Sequence, residues 1–277
     1  MNGILIMAGM TFREAARRKI IWMALAASAL LLAIFGVALR IQMDEFRSRA
    51  MSPFLRFQIE SGMLMVGLYI VDLLAVVMTI LTSIDTLAGE ISSGTIHAIA
   101  TKPVARWQIL IGKFTGFLVM SSVYVVLTFC GTVAVSDWLV GVTPQHVVRG
   151  ALLIILECAV ALSLTFLLGT WFSTLTNGVL VLALQGFAFL GGWLEQVSGF
   201  AQSQKIVTLG IVSSLIMPGE SLWRRAAYEM QTPLAGSLSF SPFANVSIPS
   251  GVAVCYALVF FAVMLSIAIY HFHARDL

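Results

Sequence analysis

The sequence predicts an all-α membrane protein with six transmembrane helices, and three observations point there. The chain is 59% hydrophobic and only 10% charged over 277 residues, too little charge to keep a folded surface of that size in water. Six runs are apolar enough, at about 20 residues each, to cross a hydrocarbon core about 30 Å thick as helix. The runs are continuous and do not alternate with polar residues. That favours helices, which satisfy their own backbone in lipid, over barrel strands.

The runs are Ile20–Leu39, Gly62–Ser83, Phe114–Val135, Ala151–Phe172, Thr176–Leu194 and Val252–Tyr270. Gly36, Val37 and Ala38 form a small-x-small triplet like a signal-peptidase site. The first run nevertheless exceeds the roughly 7–15 residues of a signal's apolar region and follows a stretch of mixed sequence, so it is read as a retained span. Ahead of it, Ile4–Lys19 mixes Ile4, Leu5, Met7, Met10 and Phe12 with Arg13, Glu14, Arg17 and Arg18. This suits an amphipathic helix along the membrane surface, or else a charged flank that anchors the span.

Between the first two spans, Arg40–Ser61 carries both signs of charge, Pro53 and the interfacial anchors Phe46, Phe54 and Phe57, and reads as a short helical excursion. Asp137–Gly150, with Trp138 and Pro144, is a link on the same side, and Ser173–Asn177 is a tight link on the other. The longest region outside a span is 195–250. Within it Ile206–Met217 is apolar but too short to cross, Pro218 and Gly219 break it, and Glu220–Gln231 reads as an amphipathic helix ended by Thr232 and Pro233. This region either caps the outer mouth of a pathway or packs inertly at the lipid boundary. No repeat or linker divides the chain, so residues 1–277 read as one membrane domain.

An even number of spans puts both termini on one side, together with the polar segment 85–113. Arg13, Arg17, Arg18, Lys19, Lys102, Arg106, Lys113 and Arg275 fall on that side, against Arg40, Arg47, Arg49, Arg56, Arg149 and Lys205 on the other. The excess of positive charge places the termini in the cytoplasm, with the chain multi-pass in a plasma membrane such as a bacterial or archaeal inner membrane. Basic residues scatter and aromatics lie within spans, which is not the footprint of a nucleic-acid binder. Cys130, Cys158 and Cys255 all fall in apolar runs without CxxC spacing and read as packing residues. His271 and His273 form an H-x-H pair that does not by itself make a metal site.

The segment from Asp85 to Lys113, DTLAGEISSGTIHAIATKPVARWQILIGK, is the polar interruption between the second and third spans. Ser92 or Ser93 can cap a helix over Gly94–Ala100, which Thr101, Lys102 and Pro103 stop. Arg106 and Trp107 mark the interface where the third span begins, and Lys113 has the reach to snorkel to the headgroups. Such a short helix would expose Thr95, His97, Thr101 and Lys102 to a partner while Ile96 and Ile99 hold its other face down. Asp85 would support it from the end of the second span.

The run GEISSGTIHAIATKPVARWQILIGKF resembles the segment found between the second and third spans of type-2 ABC transporter permeases: a GE, a GT a few residues on, an apolar helix, then a Pro and an Arg before a GK. The start, TFREAARRKI, is similar to the elbow before their first span, and six spans with a long outer region before the last agree. The resemblance implies a permease subunit whose coupling helix, Gly94–Thr101, sits in a groove of a separate ABC ATPase subunit. By that resemblance Glu90, Gly94, Thr95, His97, Thr101, Lys102, Pro103 and Arg106 would contact the ATPase. Ser92 and Ser93 stand where acidic residues are often seen. It also implies a second permease copy or paralogue, surrounding membrane lipid, and ATP with Mg held by the partner and not by this chain.

A P-loop needs G-x-x-x-x-G-K-[ST] to cradle phosphates. Here Gly112 and Lys113 lack the upstream glycine, with Trp107 in its place, and Phe114 replaces the hydroxyl residue. Inside the apolar runs, Asp72 and Glu157 each cost about 2.5–3.5 kcal/mol at a helix centre if charged, so both should face the bundle or a wet cavity. They are candidates to line a substrate or ion path, or to bond to neighbouring helices. The GxxxG at Gly112 and Gly116 permits close helix approach.

Three other classes compete with an ATP-driven exporter permease. A self-sufficient proton-coupled carrier would use Asp72 and Glu157 alone. An ATPase-linked sensor shares every permease feature. An intramembrane enzyme finds no support in HExxH, GxGD or an activated nucleophile, and no residue is assigned a catalytic role.

Overall fold

The computed structural model describes residues 3–48, 52–92, 105–201, 204–231 and 249–274, and all the regular structure among them is helix. In chain order the helices are α1 (Gly3–Ala16), α2 (Lys19–Ser48), α3 (Pro53–Ser92), α4 (Arg106–Val140), α5 (Val147–Gly169), α6 (Thr174–Ala201), α7 (Gln204–Ile216), α8 (Gly219–Met230) and α9 (Gly251–Ala274). Six of them, α2 to α6 and α9, are long and apolar enough to cross a membrane. Each matches one of the apolar runs.

Most of the spans outrun their apolar stretches, because a helix keeps its hydrogen-bond ladder after leaving hydrocarbon. The stretch expected as a helical excursion between the first two spans is largely absorbed into the end of α2 and the start of α3. Pro53 opens α3, where a missing N–H costs nothing. Gly141 ends α4 at φ 72°, its N–H returning to the Asp137 carbonyl.

The centre of the bundle is α5, which packs on α3, α4, α6, α8 and α9. In its most apolar window 67% of residues are buried, against 11% for α2 and for α9, so the first and last spans stand at the periphery. The core is aromatic and aliphatic: Phe114 and Phe117 of α4 meet Phe166 of α5 edge to face, with centroids 5.7 Å and 6.3 Å apart. Three short helices complete the described fold. α1 lies on α4 at the end of the bundle from which the 93–104 connection leaves, here called the cassette end. At the opposite end α7 and α8 form a hairpin that enters beside α5 and α6. α7 keeps an exposed apolar face (Leu209, Ile211, Val212, Leu215), whereas α8 buries Leu222, Trp223, Ala226, Ala227 and Met230.

Two expectations are corrected. Lys113 does not reach for headgroups: it is buried on the inward face of α4, because the turn that carries it is covered by neighbouring elements and does not stand at the lipid surface. Of the three cysteines only Cys158 packs inside, while Cys130 and Cys255 lie on outward faces of their helices.

Candidate functional site

At the cassette end, Gly94, Thr95, His97, Thr101, Lys102 and Pro103 lie outside the described residues. Glu90 sits in the last turns of α3, with its side chain also outside them. Arg106, the first residue of α4, donates from Nη1 to the His273 carbonyl at 3.4 Å and so ties the start of α4 to the end of α9. Asp85 accepts from the Thr174 hydroxyl at 3.3 Å, and Asn177 Nδ2 donates to the Thr165 carbonyl at 3.0 Å, closing α3, α5 and α6 together.

The GxxxG pair is the seat of α1. A Cβ on Gly112 would stand 2.5 Å from the Met7 Cβ and 3.0 Å from the Ile4 carbonyl oxygen. On Gly116 it would stand 2.8 Å from both the Ala8 carbonyl oxygen and the Thr11 Cβ. Only the missing side chains let the two backbones approach this closely. Just beyond α1, Arg18 donates from Nη1 to the Thr82 carbonyl of α3 at 3.2 Å and pairs with Glu14 at 3.0 Å. The elbow is thereby fastened to both helices that flank the cassette.

Deeper in the bundle the structure buries Asp72 of α3 and Glu157 of α5, 4% and 1% exposed, close enough for their charges to interact. Gln185 Nε2 of α6 donates to Glu157 Oε1 at 2.9 Å. A third carboxyl comes from the hairpin: Tyr69 of α3 donates its hydroxyl to Glu220 Oε2 at 3.4 Å, and the Tyr69 ring lies 4.9 Å from that of Trp223.

The hairpin reaches this depth because its tip is glycine. A Cβ on Gly219 would stand 2.8 Å from Glu157 Oε1 and 3.0 Å from the Gln185 amide. On α6, a side chain at Gly192 would run into Glu220. The N-terminus of α8 thus lies against Glu157 and Gln185, where the helix dipole favours negative charge, and Arg224, buried one turn on, adds a cation near Glu220. Three acids, an amide, a phenol, an arginine and a helix dipole make one enclosed polar junction among α3, α5, α6 and α8.

The far end of α8 is held differently. Glu229 pairs with Arg149 of α5 at 3.2 Å and with Arg225 at 2.5 Å, and the Met230 carbonyl accepts from Gln145 N–H at 2.9 Å. Slight burial works against ionising Glu229, but the two guanidiniums outweigh it and hold its carboxyl below the usual value.

Asp72, Glu157 and Arg106 were singled out from sequence, whereas Tyr69, Gln185, Glu220 and Arg224 were not. The signals that could have found two of them are an amide in an apolar run, for Gln185, and an acid directly after the Pro218–Gly219 break, for Glu220. Nothing local to either says how deep the hairpin enters. A family model described as ABC-2 family transporter protein matches residues 4–277. No curated protein matches the chain.

Proposed function

The chain belongs to the ABC-2 family of transporter proteins, and from that premise we propose that it is the permease half-pathway of an exporter driven by a separate ATPase. ATP and Mg are held by that ATPase, and a second permease copy or a paralogue supplies the other half of the path. The complex sits in a plasma membrane with both termini and the cassette in the cytoplasm. Glu90, Gly94, Thr95, His97, Thr101, Lys102, Pro103 and Arg106 form the contact that the ATPase moves.

The observation that carries this reading is the continuity of α3. It runs as one helix of 40 residues from the hairpin end to the cassette, about 60 Å at about 1.5 Å per residue. Its last turn enters the cassette, and its middle carries Tyr69 into contact with Glu220 and places Asp72 near Glu157. A displacement of the cassette is thus delivered to the tip of the hairpin. Asp72 and Glu157 serve the substrate path through this junction, by coupling α3 to the hairpin at the path's outer end.

The test combines Glu90→Lys with Pro103→Gly in the permease co-expressed with its ATPase. The expected result is loss of ATPase co-purification and of permease-stimulated ATP hydrolysis in proteoliposomes. Association and hydrolysis both unchanged would remove the coupling role. A pH-gradient-driven flux from this chain alone would favour the self-sufficient carrier.

A further inference from the structure

Toward the hairpin end α2 and α4 enclose a groove of about 240 Å³, lined by Leu32, Ala33, Gly36 and Val37 of α2 and by Val135 and Leu139 of α4. Its mouth is formed by Arg40 and Trp138. From Leu32 to Arg40 the groove follows α2 for about 12 Å, and all its apolar lining belongs to, or closely follows, the runs that fill the hydrocarbon. Arg40 comes directly after the apolar run of α2, and Trp138 lies just past that of α4, so both stand at the membrane boundary.

Both mouth residues are exposed, Trp138 at 78%. Among the described residues neither the Arg40 guanidinium nor the Trp138 indole N–H has a hydrogen-bond or ion-pair partner. An apolar trough that ends in a cation and a neutral N–H donor at headgroup level complements one kind of molecule: a chain of methylenes carrying an anion. The trough exists because residue 36 has no side chain. A Cβ there would already stand 3.6 Å from Val135 Cγ1 and 3.8 Å from Leu139 Cδ1, so a larger group would occupy the space itself.

We propose that this groove is a binding site for an anionic phospholipid, one acyl chain lying along Gly36 and the headgroup phosphate bridged by Arg40 and the indole of Trp138. The site is independent of the transport reading, since it involves neither the cassette nor the buried polar junction. A bound lipid here wedges the first and third spans at the hairpin end.

The test is native mass spectrometry of the full chain released from nanodiscs containing phosphatidylglycerol and phosphatidylcholine in equal amounts. The wild-type chain should retain phosphatidylglycerol over phosphatidylcholine by about fivefold, the preference one surface cation gives. Arg40→Gln should bring the two lipids to parity, Arg40→Lys should keep most of the preference, and inorganic phosphate should not compete because it brings charge without a chain. Gly36→Phe should displace both lipids, and Ala33→Leu, a milder filling of the same trough, guards against misfolding of the first variant. Parity in the wild-type chain, meaning annular lipid only, would overturn the proposal. So would a preference that survives both Arg40→Gln and Ala33→Leu, or competition by inorganic phosphate.

Discussion

The elbow helix α1 and the hairpin helix α8 are both short, both lie off the main spans and both are docked on the bundle, yet by opposite chemistry. α1 meets α4 backbone to backbone across Gly112 and Gly116. α8 carries Glu220 at its N-terminus into the buried site of Asp72 and Glu157 and anchors its far end with a carboxylate between two arginines. In lipid, apolar burial between helices gains little, because acyl chains are as apolar as side chains. What remains is close van der Waals approach or polar groups that have no better partner, and this protein uses one device at each end. The seat of α1 therefore depends chiefly on shape and that of α8 chiefly on polar groups, so the two ends should fail under different insults.

The largest effect is expected for shape. Gly116→Leu places a branched side chain where a single Cβ already stands 2.8 Å from the Ala8 carbonyl oxygen, a backbone atom that cannot turn aside. It should cost about 3 kcal/mol, the upper end for overpacking, and release α1. Unfolding in detergent, together with limited proteolysis between α1 and α2, measures both; wild-type stability with α1 still protected would refute the glycine seat.

Charge comes second. Glu157→Leu removes the acceptor of Gln185 Nε2 and a partner of Asp72, and should cost about 2 kcal/mol, whereas Glu157→Gln should stay within about 1 kcal/mol because it still accepts a hydrogen bond. Equal stability of the two variants would show that α8 is seated by packing alone.

The smallest effect is at the clamp. The Arg149 side chain is 66% exposed, so Arg149→Gln should cost under about 1 kcal/mol. Because the folded-state value of Glu229 is held down, its contribution is present above the ordinary carboxylate range and fades as pH falls through that lowered value. The variant should therefore lose protection in the last turn of α8 at a higher pH than the wild type. Hydrogen exchange across the acid range reads this shift, and coincident profiles would exclude the clamp.

The spans were legible because lipid imposes a length and forbids open backbone, and Ile20–Leu39 or Val252–Tyr270 announce both. Their true ends were not, since helices such as α3 continue through polar sequence that no hydrocarbon selects. The hairpin was legible as two pieces from the Pro218–Gly219 break, but its depth depends on Gly192 and Gly219 yielding space to Glu220 and Glu157, a pairwise fit between distant residues. The same holds for Gly112 and Gly116: their spacing announces a close partner without saying that it is the elbow. Lys113 misled because its position near a span end suggests a headgroup contact, and only the packing around α4 shows that its turn is covered.

The length of α3 has a consequence for the lipid itself. Its apolar stretch, Gly62–Ser83, is about 33 Å of helix at about 1.5 Å per residue and closely matches a hydrocarbon core of about 30 Å. The remainder of its 40 residues stands clear of the core at both ends. A bilayer of different thickness would be met by tilting this helix, and tilt of so long a rod swings its tips sideways. Hydrophobic mismatch would then act on the same two endpoints as the proposed coupling, making membrane thickness a second input to α3.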